Sequence, residues 1–353
     1  MKKIKIFEYD CMLFFLTQGF SLISLNIYTK NVKTDAYLIP IIGTIIGIIP
    51  LLLFTKIKEK NSKLNINSLN IKIFGKIFGN IINTIFIILA FIIGAYIFFI
   101  LTNFISVEYL YKTPLNFISF AFALPTIYIL TKNISIISRS IVILIFIEII
   151  LFITSSLGLF GQINTHELFP IFQNNISEFF KTVFLHVSFI LTPLFFLNIF
   201  SKNEIQNSKN LKKHTIIAYL IGNIVFFLTI FFNISILGIE LIEVYQYPEY
   251  EVLKFANIAG FINNLEPALA IYWMINLFSF IVICFYYSKK SILQITKFKN
   301  TNKFNIFFSC TVLIICLLSN NIFKQFSITN LFIVISFIFI CIIFFLWIIK
   351  NSN

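Results

Sequence analysis

Apolar residues in this chain come in long blocks rather than in alternation. Blocks of about 20 residues, enough for a helix to cross the ~30 Å hydrocarbon core of a bilayer, fall at roughly 7–28, 35–55, 80–106, 113–131, 136–158, 179–200, 215–238, 267–287, 304–320 and 329–349. In hydrocarbon every backbone N–H and C=O needs an internal partner, which only a helix or a closed barrel supplies, and barrel strands would show short alternating segments instead. The pattern predicts an all-α membrane protein of about ten transmembrane helices. The longest polar stretches, 159–178 and 239–266, are loop-sized, so residues 1–353 read as a single polytopic transmembrane domain.

Interruptions of the blocks carry the next step. Thr17, Gln18, Gly19, Ser21 and Ser24 break the first block at its middle, and Ser188, Thr192 and Pro193 lie at similar depth in the sixth. Pro193 removes a helical hydrogen bond and predicts a kink or break. Ten helices divide into two sets of five with opposite topology, the arithmetic of a 5+5 inverted-repeat transporter fold, in which the first helix of each set is broken near the midplane to hold a ligand on freed backbone groups. The competing reading is that these polar residues serve helix packing alone. Tyr272 and Asn276 of the eighth block are further candidates to line such a pocket. Gly43-x-x-x-Gly47 in the second block predicts close helix approach. Glu148 has apolar neighbours on both sides, and a carboxyl there is costly unless protonated, paired or wet. It suits either proton relay or a structural hydrogen bond, and Glu266 is a second such candidate.

Charge adds an orientation. Hydrophobic residues make up 59% of the chain and charged ones 12%, with 27 basic residues against 14 acidic. Lys30, Lys33, Lys112, Lys181, Lys254 and Lys324 fall on one side of the predicted helices, and the other 21 basic residues fall on the side of both termini. Short basic loops resist translocation, so both termini are expected in the cytoplasm. Runs such as Lys56/Lys58/Lys60/Lys63 and Lys289/Lys290/Lys297/Lys299/Lys303 then face anionic membrane lipid, which explains them better than nucleic acid does. The outer stretch 239–266 carries Glu240, Glu243, Glu249, Glu251 and Glu266 against Lys254 alone. Its spacing of Val252, Phe255, Ala256 and Ala259 predicts a short helix along the membrane surface.

Chemistry of other kinds finds little support. Cys11, Cys284, Cys310, Cys316 and Cys341 form no CxxC pair and read as small core residues, and His166, His186 and His214 are scattered, so neither a metal nor a cofactor is predicted. There is no phosphate loop, nucleophile elbow or His/carboxylate motif, and an enzyme is not expected. The first block is long, polar at its middle and without an A-x-A site, so it reads as a retained helix rather than a signal peptide.

Over essentially its whole length the sequence resembles the endospore germination permeases, the B subunits of spore germinant receptors, within the amino acid/polyamine/organocation transporter superfamily. Ile6 to Gly19, the entry Lys33-Thr34-Asp35-Ala36-Tyr37-Leu38 and the Gly43/Gly47 pair are similar to that family's first two spans. Tyr247-Pro248 through Leu253, then Phe261-Ile262-Asn263-Asn264-Leu265-Glu266 and Trp273, are similar to its Pro-containing outer helix and the segment leading into span eight. The sequence departs from the family pattern at Asn264, where Arg is usual, at Asn26, where Pro is common, and at Thr192-Pro193, where a Gly-x-Glu type sequence is common. The resemblance implies a receptor subunit in the inner membrane of a dormant spore, acting with A and C subunits to recognise a small, amino acid-like nutrient and trigger germination. A secondary amino acid transporter, proton-coupled through Glu148, and a non-binding scaffold subunit are the alternatives.

Overall fold

The computed structural model describes residues 3–172, 175–257, 266–298, 300–325 and 329–352. A two-residue strand β1 (Ile4–Lys5) leads into α1 (Ile6–Gln18), and a turn at Gly19 and Phe20 separates it from α2 (Ser21–Val32). Then come α3 (Leu38–Lys60), α4 (Ile66–Glu108), α5 (Leu115–Leu130), α6 (Ile134–Phe160) and α7 (Ile176–Phe195). The strand β2 (Ile205–Gln206) precedes α8 (Leu211–Val244), the short α9 (Pro248–Leu253) and α10 (Glu266–Leu269), and finally α11 (Ile271–Thr296), α12 (Asn302–Gln325) and α13 (Thr329–Ser352).

Eight helical stretches among the described residues have the length and apolar content to cross a membrane, α1 to α3 counting as one of them, and the apolar α5 is shorter at 16 residues. Their exterior is apolar too. On α6, Ile143, Ile150 and Leu157 recur every seven residues and stand 62%, 64% and 71% exposed, while Ile137, Ile141, Ile145 and Glu148 face the interior. Such a surface would be untenable in water and is ordinary when lipid is the solvent. The chain is an all-α membrane protein.

Contacts gather the helix ends into two sets. At one end β1 pairs with β2 in parallel, Ile4 opposite Ile205, and Lys58 reaches Tyr9. Asn67 bonds Gln294, Lys289 bonds the Leu130 carbonyl, Lys290 pairs with Glu204, and Lys350 bonds the Ile73 carbonyl. This is the basic end. At the other end Thr34 bonds the Pro170 carbonyl, Asn26 the Gln246 carbonyl, Asn103 the Tyr247 hydroxyl, and Tyr109 the Pro267 carbonyl. At the centre α1 packs against α6, α7, α8 and α11, while α12 and α13 pack on the periphery against α4, α5 and α7.

Four features differ from the expected helix limits. The predicted loop 56–79 contains a helical segment, because α4 begins at Ile66, capped by the Asn65 side chain accepting from the Ser68 N–H, and turns back at Gly75 in a positive-φ conformation (φ 80°) open to glycine alone. Asn83 ties the two limbs, accepting from Asn70 at 2.7 Å and donating to the Asn67 carbonyl, and the Trp347 indole donates to Asn70 at 3.0 Å. The helix predicted to stop at 238 kinks at Gly238 (φ 70°) and runs on to Val244, so Glu240 and Glu243 are helical. Helix α11 continues to Thr296, nine residues past the expected end. Pro193 does not break its helix at mid-depth: it lies in the last turn of α7, which ends at Phe195 and tightens into a 3-10 turn over Phe196–Ile199, so the proline stands where the α-helix is ending.

The acidic outer stretch is also corrected. Its short helix spans Pro248–Leu253 and is packed inside, with Pro248, Glu249, Tyr250, Val252 and Leu253 all buried; Phe255 lies beyond its end, and Ala259 is outside the described residues. Of the cysteines, Cys11, Cys284 and Cys316 are buried, whereas Cys310 faces outward on α12. The segment Phe261 to Leu265, with the Asn264 departure, and the side chain of Lys324 lie outside what the structure describes.

Candidate ligand site at the interrupted first span

The helix break falls where the polar residues interrupt the first apolar block. Gly19 and Phe20 leave the α1 helix, and α2 restarts with Ile23 and Ser24 N–H groups bonded to the Phe20 carbonyl. Phe20 stacks on Phe189 of α7 (4.8 Å between ring centroids, 15° between planes) and meets Phe280 of α11 edge-on at 5.7 Å. The ring of Phe20, at the break itself, is therefore enclosed by aromatic rings from two helices, α7 and α11. A β-carbon on Gly19 would fall inside the Phe280 ring. The backbone approach that glycine permits is taken up by a neighbouring side chain.

The candidate residues divide by what they touch. Thr17 donates to the Phe14 carbonyl at 2.6 Å and fills the space beside Gly222 of α8. Ser188 donates to the Phe184 carbonyl, and the Ser21 carbonyl accepts from Ser24. Those bonds are satisfied within the helices. Gln18 and Thr192 are different: both are buried, and the Gln18 Nε2 and the Thr192 hydroxyl have no hydrogen-bond partner among the described residues. A buried polar group left without a partner costs ~1–3 kcal/mol, so the Gln18 amide at the end of α1 and the Thr192 hydroxyl, one turn beyond Phe189 on α7, are donors with capacity to spare, as is the Ser279 hydroxyl next to Phe280.

A second group forms between α6 and α11. Asn276 donates to Glu148 Oε1 at 3.3 Å, which supplies the partner that sequence reasoning could not name. Glu148 Oε2 and Asn276 Oδ1 remain without partners among the described residues. Tyr272, one turn before Asn276, packs edge-on against Phe152 and lies within electrostatic reach of both Glu148 and Glu249. Glu266 opens α10 with one buried, unpartnered carboxylate oxygen. Helix α11 links the two groups, since Tyr272, Asn276 and Phe280 follow each other at four-residue steps.

Three interior features had no clear sequence signal. His186 of α7 bonds the Tyr28 hydroxyl of α2 at 2.9 Å, a contact across 158 residues, and lies in the groove that Gly43 leaves open, while Tyr219 fills the space beside Gly47. The glycine pair announced the groove but not its occupants. Lys58 is buried in the last turn of α3, donating to Tyr9 and to the Leu197 carbonyl. Glu249, expected on the surface, is fully buried with both oxygens unpartnered among the described residues, and burial holds its carboxyl well above the ordinary carboxylate range.

Burial of the Glu249 carboxyl makes stability depend on pH. A folded-state pKa above the unfolded value of about 4.3 gives stability that is fully present below the unfolded value and is lost as pH rises through the folded one. The unfolding temperature of the purified protein should therefore fall as pH is raised, and Glu249→Gln should reduce that slope. Identical slopes in thermal melts of the two proteins would show that Glu249 does not titrate this way.

Long apolar helices with an apolar exterior, a discontinuous first span and polar side chains turned inward define an integral α-helical membrane protein. This chain belongs to the spore germination protein family, whose pattern it matches over residues 3–324. It is similar to spore germination protein YndE of Bacillus subtilis (strain 168), 21% identical over 288 residues covering 81% of this chain and 78% of that protein. Putative spore germination protein YfkT of the same organism is 25% identical over 248 residues, 69% and 66% of the two chains. Spore germination protein KB, also from that organism, is 24% identical over 163 residues, which is 44% of this chain and 42% of the relative.

Proposed function

We propose that this chain is the membrane subunit of a spore germinant receptor, sensing a small, amino acid-like nutrient at the α1/α2 break. It would work in the spore inner membrane with A- and C-type receptor subunits, with both termini cytoplasmic. The observation that carries the reading is the helix interruption at Gly19 and Phe20, next to Gln18 Nε2 and with the Thr192 hydroxyl one turn beyond the Phe189 ring that stacks on Phe20, both buried and without partners among the described residues. A nutrient carboxylate or carbonyl would satisfy them once the Phe20, Phe189 and Phe280 rings part. Only a difference in affinity between the closed and parted arrangements can drive such a change, and the two orphaned donors supply one.

Gln18→Ala and Thr192→Val should each raise the nutrient concentration for half-maximal germination, by roughly tenfold for one lost hydrogen bond to a charged group, at unchanged protein level in spore membranes. Affinity purification from the same spores should recover A- and C-type subunits. An unchanged dose response in both variants would remove the break as the sensing site, and recovery of the chain alone would remove the receptor assembly.

A second reading, a proton-coupled amino acid transporter, is favoured by the free oxygen of buried Glu148 beside Asn276. It requires amino acid uptake driven by a pH gradient in proteoliposomes and loss of that uptake in Glu148→Gln. A pure sensor takes up nothing in the same vesicles.

A further inference from the structure

At the basic end a cavity of about 380 Å³ opens between the α5–α6 turn, the segment after α7 and the last turns of α11. Its chemistry is one-sided. Lys132, Lys289 and Lys290 line it against a single carboxylate, Glu204, which is already bonded to Lys290 at 2.8 Å and to the Ser201 N–H. Lys289 is 4% exposed, and its only partner among the described residues is the Leu130 carbonyl at 2.7 Å, which leaves two ammonium hydrogens and the charge unanswered. Lys132 lies over the Tyr128 ring and has no acidic partner among the described residues. The remaining polar groups also donate. Gln294 uses its oxygen to accept from Asn67, so its amide hydrogens stay available, and Asn133 starts the 27-residue α6 without capping it, so the first N–H groups of that helix lie at the cavity wall. Phe200 and Tyr286 stack at 5.9 Å to form an apolar side.

A buried ammonium, a second unpaired lysine and an uncapped helix start converge on one missing component, an anion with several oxygens. The volume is within the range of small-molecule sites and exceeds what a bare ion fills. We propose that this cavity is a binding site for a phosphate ester, with its oxygens on Lys132, Lys289 and the start of α6 and its carbon skeleton against Phe200 and Tyr286. Either the headgroup of an acidic phospholipid or a soluble phosphate ester supplies that chemistry. Bound there, it holds together the α5–α6 turn, the α7–α8 segment and α11.

The test uses the full-length protein in detergent. Its unfolding temperature should rise on addition of phosphatidylglycerol and not of phosphatidylcholine, and in Lys132→Gln/Lys289→Met about tenfold more phosphatidylglycerol should be needed for half of the rise. Lys212→Gln/Lys213→Gln, which removes two exposed charges at the same end, should keep the wild-type response. If the first double variant does not fold, Lys132→Gln alone, which changes a partly exposed side chain, should show the weaker response. A rise with glycerol 1-phosphate and none with phosphatidylglycerol assigns the site to a soluble ester. An equal rise with phosphatidylcholine, an unchanged response in the lysine variants, or the same loss in Lys212→Gln/Lys213→Gln would each overturn the proposal.

Discussion

Gly19→Leu is expected to reduce the amount of protein recovered from the membrane by about tenfold, and Phe280→Ala in the same chain to restore much of it. The β-carbon of any residue at 19 would intrude on the Phe280 ring, which also supports Phe20. Overpacking of this kind costs ~1–3 kcal/mol, and about 1.4 kcal/mol is tenfold in an equilibrium. Phe280→Ala alone empties a ring-sized space and costs ~3–5 kcal/mol, so the double variant should be far more stable than the sum of the single effects predicts, the signature of two residues in contact. Quantitative immunoblots of spore membranes together with germination dose response distinguish the outcomes. Wild-type abundance of Gly19→Leu with no nutrient response would mean that the ring moves away readily and that a ligand takes its place.

Gly79→Val should be more disruptive still, because what it meets is main chain. A β-carbon at 79 would lie 2.7 Å from the Ile71 Cα and 2.8 Å from the Asn70 carbonyl carbon and oxygen, and no side-chain rotation relieves that. The limb before Gly75 must lift off, breaking the Asn70 to Asn83 bond and the bond from Trp347 to Asn70. In a Trp273→Phe background, which leaves Trp347 as the sole tryptophan, the indole emission should shift to the red and residues 61–75 should become sensitive to protease. Gly161→Val is the control, since nothing lies within 4 Å of its β-carbon. Equal behaviour of the two variants would contradict the close crossing at Gly79.

The helices were legible because the bilayer enforces length and apolarity on each block, and the gathering of basic residues at one end was legible because each loop carries its own lysines. Gly19 shows where that reading thins. The polar run 17 to 24 located a break, yet nothing local announced that a ring 261 residues away would fill it. Glu249 shows a different failure: an acidic, Pro-containing stretch reads as solvated, and only packing against neighbouring helices reveals a buried carboxyl with no partner among the described residues. Asn276 and Glu148 are the same lesson in reverse, since each was singled out alone and their pairing needed α6 and α11 to be placed side by side. Local signals set the elements and their ends, whereas polar groups buried between helices depend on partners that lie far along the chain.

The pairing of β1 with β2 limits how the first helix can move. Ile4 is buried and Lys5 exposed, with Ile4 opposite Ile205 in a ladder of two residues. Sliding α1 along its axis by one residue, roughly 3.3 Å, would turn Lys5 inward and Ile4 outward, so piston strokes of that size are penalised at the very first step. Tilting about the ladder leaves the pairing intact. The fold therefore behaves at this corner as a hinge pin, and a tilt of α1 reaches the segment before α8 as a change of angle rather than a thrust.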